Sequence, residues 1–127
     1  MHTHALVWID HQQARIFHIG LEEATEQVIH DDAPQHHLHR KSEHADRRDD
    51  AAQQTFLGEV AQTLASAKGI MIVGPGQART EFSNFLRDKF PRLDAKVWAV
   101  EAMDHPTDAQ IVAHGRRYFR TAERMHN

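Results

Sequence analysis

Residues 69–90, GIMIVGPGQARTEFSNFLRDKF, constrain the fold more than any other stretch of the chain. Ile70, Met71, Ile72 and Val73 form a short continuous apolar run, which suits a strand covered on both faces. Gly74-Pro75-Gly76 then turns the chain. Over 77–90, Phe82, Phe85, Leu86 and Phe90 give a helix one apolar face, and Pro91 is expected to stop it. A strand, a glycine turn and an amphipathic helix in that order are half of an α/β unit.

The rest of the chain extends this pattern. Residues 5–9, ALVWI, form a second continuous apolar run, with Trp8 expected in the core. Asp10 and the polar residues after it suit a hairpin turn, and 14–20 supply the partner strand. Residues 26–30 read as a weaker third strand. Over 51–68, Phe56, Leu57, Val60, Ala61 and Leu64 form one helical stripe, and Gly69 is expected to close that helix. Residues 96–102, with Val97, Trp98 and Val100, form the last strand, with Trp98 also expected in the core. Thr107 is the expected N-cap of a final helix, which Ile111, Val112, Tyr118 and Phe119 hold to the core and which should fray from Thr121.

The expected order is β-β-β-α-β-α-β-α. A three-strand meander is followed by helix-linked strands that should lie parallel. The implied architecture is an α/β, ribonuclease-H-like three-layer domain with a mixed five-stranded sheet.

Residues 31–50, DDAPQHHLHRKSEHADRRDD, do not fit that frame. They hold one Leu and no other large apolar residue, so they read as a long exposed, histidine-rich loop. The whole chain of 127 residues is the size of one domain. It has no cysteine, which excludes disulfides, thiolate metal sites and a cysteine nucleophile. No run reaches the ~20 apolar residues of a membrane span, and no basic segment precedes the first apolar run. A cytoplasmic protein without a membrane partner is expected. The formal charge is −3 with the 12 histidines neutral, so bulk charge does not make the chain a polyanion binder.

The segments IMIVGPGQARTEF and VWAVEAMDHPTDAQI, within 70–90 and 96–119, resemble the middle domain of archaeal and eukaryotic class 1 peptide-chain release factors and Pelota-type rescue factors. ALVWIDHQQARIFHI resembles the opening strands of bacterial relatives labelled translational machinery or host attachment proteins. The resemblance implies a translation-associated role with the ribosome or RNA as partner. Release factors carry Gly-Gly-Gln in the loop before the long helix, where it promotes peptidyl-tRNA hydrolysis. The matching stretch here, HRKSEHADRRDDAAQQTF, contains no glycine. Gln53-Gln54 lack the permissive backbone that flanking glycines supply, so hydrolysis is not expected.

Four groups of residues carry candidate chemistry. Arg40, Lys41, Arg47 and Arg48 are candidate RNA contacts, because cations neutralise phosphates and neighbouring histidines can stack on bases. His36, His37 and His39 are candidate ligands for a divalent metal, the one cofactor the composition suggests. Gly74, Gly76 and Arg79 could hold an anion at a helix N-terminus, although the pattern is not a phosphate loop. Asp10, Glu101 and Asp104 close strands and are the carboxylates a magnesium-dependent nuclease of this fold would use. The readings are therefore a non-catalytic RNA- or ribosome-binding module, a metal-binding or protein-interaction module, and a nuclease, in that order.

Overall fold

The computed structural model describes residues 3–31 and 43–126, and for 43–50 it describes the backbone. Among these residues the elements are β1 (Thr3–Ile9), β2 (Gln13–Ile19), β3 (Ala24–His30), α1 (Glu43–Gln62), β4 (Ala67–Gly74), α2 (Ala78–Lys89), α3 (Pro91–Asp94), β5 (Val97–Ala102) and α4 (Asp108–Met125). One sheet takes the order β3-β2-β1-β4-β5. β1, β2 and β3 form an antiparallel meander, and β4 runs parallel to both β1 and β5.

The central position of β1 explains its apolar run. Ala5, Val7 and Ile9 enter the core cluster beneath α1, α2 and α3. Leu6 and Trp8 enter the opposite cluster, beneath Ile111 and Phe119 of α4. With both faces covered, strand alternation sorts side chains between two apolar layers instead of between core and water. The result is the expected three-layer α/β plan, with three helices on one face of the sheet and α4 on the other.

Several boundaries differ from the sequence reading. α1 begins at Glu43, so Arg47 and Arg48 stand on a helix and not in a loop. The same helix ends at Gln62, where the bonds Thr63 N–H to Val60 and Leu64 N–H to Ala61 tighten the chain. β4 then starts at Ala67, because Thr3 and His4 of β1 pair with Ala67 and Gly69. Gly69 is thus a strand residue: a Cβ there would lie 2.6 Å from the Trp98 ring, so the missing side chain is what lets the indole cross β4. Pro91 does close off α2, but it also opens α3, at the helical position where a missing N–H costs nothing. Finally, α4 continues to Met125: Phe119 and Ala122 are buried, and His126 stacks on Trp98 at 4.1 Å, which holds the last turns down.

Two local expectations are met in detail. Asp10 Oδ1 accepts the Gln12 and Gln13 amides at 2.8 and 2.9 Å, forming the β1–β2 turn. Thr107 Oγ1 accepts the Gln110 amide, while Gln110 Oε1 accepts the Thr107 amide, a complete capping box.

Candidate nucleic-acid interface

The carboxyl ends of β1 and β4 lie side by side, and the chain leaves them in different directions. β1 turns into the meander, whereas β4 passes through α2 and α3 to β5. In open α/β sheets such a divergence opens a crevice, and ligands bind there. Three elements converge on this end. The β1–β2 turn brings His11, the first turn of α2 brings Glu81, and the third turn of α1 brings Gln53. Glu81 Oε1 lies 2.9 Å from His11 Nε2 and accepts the Gln53 amide at 3.0 Å. His11 and Glu81 remain half exposed. Asp31, which leaves β3, donates its amide to the Gln12 carbonyl, so the chain departs toward α1 from this same end.

The Gly74-Pro75-Gly76 turn leaves β4 at this same end of the sheet. Gly74 has φ 153°, and a Cβ there would lie 2.2 Å from the Ile9 carbonyl oxygen; Gly76 has φ 61°. Arg79 folds back on this turn and donates from Nη1 to the Gly74 carbonyl at 2.9 Å and to the Gly76 carbonyl. The guanidinium therefore braces the turn, and among the described residues its Nη2 and Nε donors have no partner.

On the α4 side of the same end, Trp8 and Arg15 fasten the β5–α4 connection. Trp8 Nε1 donates to the Asp104 carbonyl at 2.8 Å, and Arg15 stacks 4.5 Å above the Trp8 ring. Arg15 also binds Asp108 at 2.7 Å and the Pro106 carbonyl. Desolvation and the neighbouring Asp108 carboxylate raise the Glu26 carboxyl above its ordinary value, against the opposing pull of Arg15.

The nominated residues divide by position. Arg47 and Arg48 stand in the first turns of α1, at the crevice end. Arg40, Lys41, His36, His37 and His39 lie outside the described residues. Gly74, Gly76 and Arg79 form one unit. Asp10, Glu101 and Asp104 do not. Asp10 is engaged by the hairpin amides, Glu101 lies 3.4 Å from His114 of α4, and Asp104 contacts His105. Among the described residues, no group of three or more His, Asp or Glu is placed to hold a metal ion. Sequence reading missed the His11–Glu81–Gln53 contact. Its one local sign was an acidic residue in the first turn of α2, and that sign names no partner.

No family model matches the chain, and no curated protein matches it in sequence. Solved structures do. Pelota from Archaeoglobus fulgidus superposes with a TM-score of 0.62 at 19% identity, over 91% of this chain and 31% of its own. Thermoplasma acidophilum Pelota gives a TM-score of 0.62 at 17% identity, over 87% of this chain and 30% of its own. The archaeal translation termination factor aRF1 gives 0.56 at 16% identity, over 95% of this chain and 40% of its own. This chain thus spans well under half the length of each, and at these identities the likeness is one of fold. The fold is the one these release-factor-like proteins carry as part of a longer chain, as the strand, turn and helix of 69–90 foretold.

Proposed function

We propose that this domain is a translation-associated module that binds RNA on the ribosome through Arg40, Lys41, Arg47 and Arg48, without hydrolysing peptidyl-tRNA. The observation that carries the reading is the fold shared with a translation termination factor across nearly the whole chain. The start of α1 at the crevice end gives it a surface, because Arg47 and Arg48 fall in the first turns of the helix. Cations there neutralise phosphates, and the exposed face of an α/β sheet's carboxyl end leaves room for a backbone to approach. The absence of glycine from 39–56 argues against the hydrolytic role.

The test is co-sedimentation with ribosomes at low and high salt, comparing the protein with the variant Arg40→Ala/Lys41→Ala/Arg47→Ala/Arg48→Ala. Four phosphate contacts give a log–log salt slope of about −3, and their removal should flatten it. A protein that stays in the supernatant at low salt refutes the reading. So does a variant that sediments as the parent does.

A further inference from the structure

The opposite end of the domain carries a second feature that the translation reading does not use. α4 runs 18 residues from the crevice end, about 27 Å, to the far edge of the sheet. There its last turns and the ends of β1, β2 and β4 enclose a cleft of about 360 Å³. Ile19, Leu21 and Phe119 supply apolar walls, while Lys68, Arg116 and Arg120 bring cations against one acid, Glu123.

These charges are not equivalent. Glu123 accepts from Lys68 and lies 2.6 Å from His4, whose ring stacks on Phe119 at 4.5 Å. The Lys68 contact, followed by that of His4, pulls the Glu123 carboxyl below its ordinary value, so it remains ionised and occupied. Arg116 Nη1 donates to the carbonyls of Gly20 and Leu21, which fixes its planar fork at the cleft, and Nη2 and Nε have no partner among the described residues. Arg120 is exposed and makes no ion pair or hydrogen bond among the described residues. Leu21 is 97% exposed, an apolar side chain standing at the rim with none of the described residues over it.

With Lys68 offset by Glu123, the cleft keeps two guanidinium charges. A phosphomonoester carries about −1.5 to −2 at neutral pH. Guanidinium forks match phosphate oxygens in pairs, and one already held in place loses little freedom on binding. The cleft volume falls in the range of small-ligand pockets, with apolar walls and a few fixed polar groups. We propose that this cleft is a binding site for a small phosphomonoester with an apolar or ring-containing body, of mononucleotide size. The phosphate sits on Arg116 and Arg120, and the body lies against Leu21, Ile19 and Phe119.

The experiment titrates the full chain, followed by amide chemical shifts, with AMP, ribose 5-phosphate, inorganic phosphate and a short oligoribonucleotide. AMP should shift Ile19, Gly20, Leu21 and Arg120 saturably, and bind more tightly than inorganic phosphate. Arg120→Ala should weaken AMP about tenfold or more. Leu21→Asp should weaken it comparably. Both side chains are exposed and neither change should disturb the fold. Glu123→Gln, which removes the opposing charge, should tighten AMP by about threefold. The proposal is overturned if AMP produces no saturable shifts at these residues, or if Arg120→Ala leaves its affinity unchanged. Equal affinity for inorganic phosphate removes the role of the apolar walls and overturns it as well. Tighter binding of the oligonucleotide at the same residues would overturn it in favour of an RNA contact.

Discussion

Gly74→Ala is the sharpest test of how the crevice is built. Gly74 ends β4, accepts the Met103 amide and the Arg79 guanidinium at its carbonyl, and holds φ 153°. A Cβ would meet the Ile9 carbonyl oxygen at 2.2 Å and the Ile9 backbone carbon and nitrogen at 3.2 Å. Those atoms are backbone of the neighbouring strand β1, where Ala5 to Ile9 are all buried, so they cannot move aside as a side-chain tip would. Backbone strain at such a φ costs about 1–3 kcal/mol. Forcing one carbon into a packed site adds about 1–3 kcal/mol. The sum, about 2–6 kcal/mol, is a large part of the ~5–15 kcal/mol that holds a domain folded. Urea unfolding should show it as a midpoint lowered by about 2 M, taking a slope of about 2 kcal/mol/M. Gly76→Ala is the matched control. Its φ of 61° is also left-handed, but a Cβ there meets nothing within 4 Å. It should cost about 1–2 kcal/mol, from backbone strain alone. If the two variants unfold at the same urea concentration, or if Gly74→Ala stays within about 1 kcal/mol of the parent, the close approach of β1 and β4 is not what selects glycine.

Three further outcomes are expected. Thr107→Ala removes the hydroxyl half of the capping box, leaving the Gln110 amide without its acceptor, and should lower stability by about 1 kcal/mol, read by denaturant unfolding. Gly69→Ala should destabilise by about 1–3 kcal/mol through the Trp98 ring, and the loss should shrink in a Trp98→Ala background; additive losses in the double variant would show that the ring is not the obstacle. Glu26→Gln should stabilise the domain at neutral pH. The folded-state pKa of Glu26 is raised, so its carboxylate is penalised in the folded protein above that pKa. The penalty fades as pH falls and the folded state takes up the proton first. The gain measured by thermal unfolding should therefore be largest near pH 7 and vanish below the ordinary glutamate range, and a gain that grows on acidification would refute it.

What the sequence made legible was whatever local chemistry decides. Asp10 opens the hairpin because its own carboxylate reaches the next two amides, and Thr107 caps α4 because Gln110 stands three residues on. Both are settled within four residues. The boundaries that shifted were settled at long range. Nothing within 60–69 says that the helix must end at Gln62; Thr3 and His4, more than sixty positions earlier, say so by pairing with Ala67 and Gly69. Gly69 illustrates the ambiguity of a lone glycine. Past a helical stripe it reads as a cap, yet it is small because Trp98, on a strand that follows by nearly thirty residues, crosses it. The same reasoning separates the two candidate sites. The basic residues of the α1 region are adjacent in sequence, so they were visible as a cluster before any fold was known. The phosphomonoester cleft draws Leu21 from the turn between β2 and β3, Lys68 from β4 and Arg116 and Arg120 from α4, and no window of the sequence contains them together. In the sequence Arg116 and Arg120 belong to a basic cluster on the last helix, which reads by default as solvated helix charge and otherwise as a second basic patch for RNA. They become a site because Gly20 and Leu21 offer their carbonyls to one guanidinium, while the other pairs with none of the described residues and stands beside an apolar rim. A site assembled this way stands or falls with Arg120 and Leu21, two side chains that the fold itself does not need.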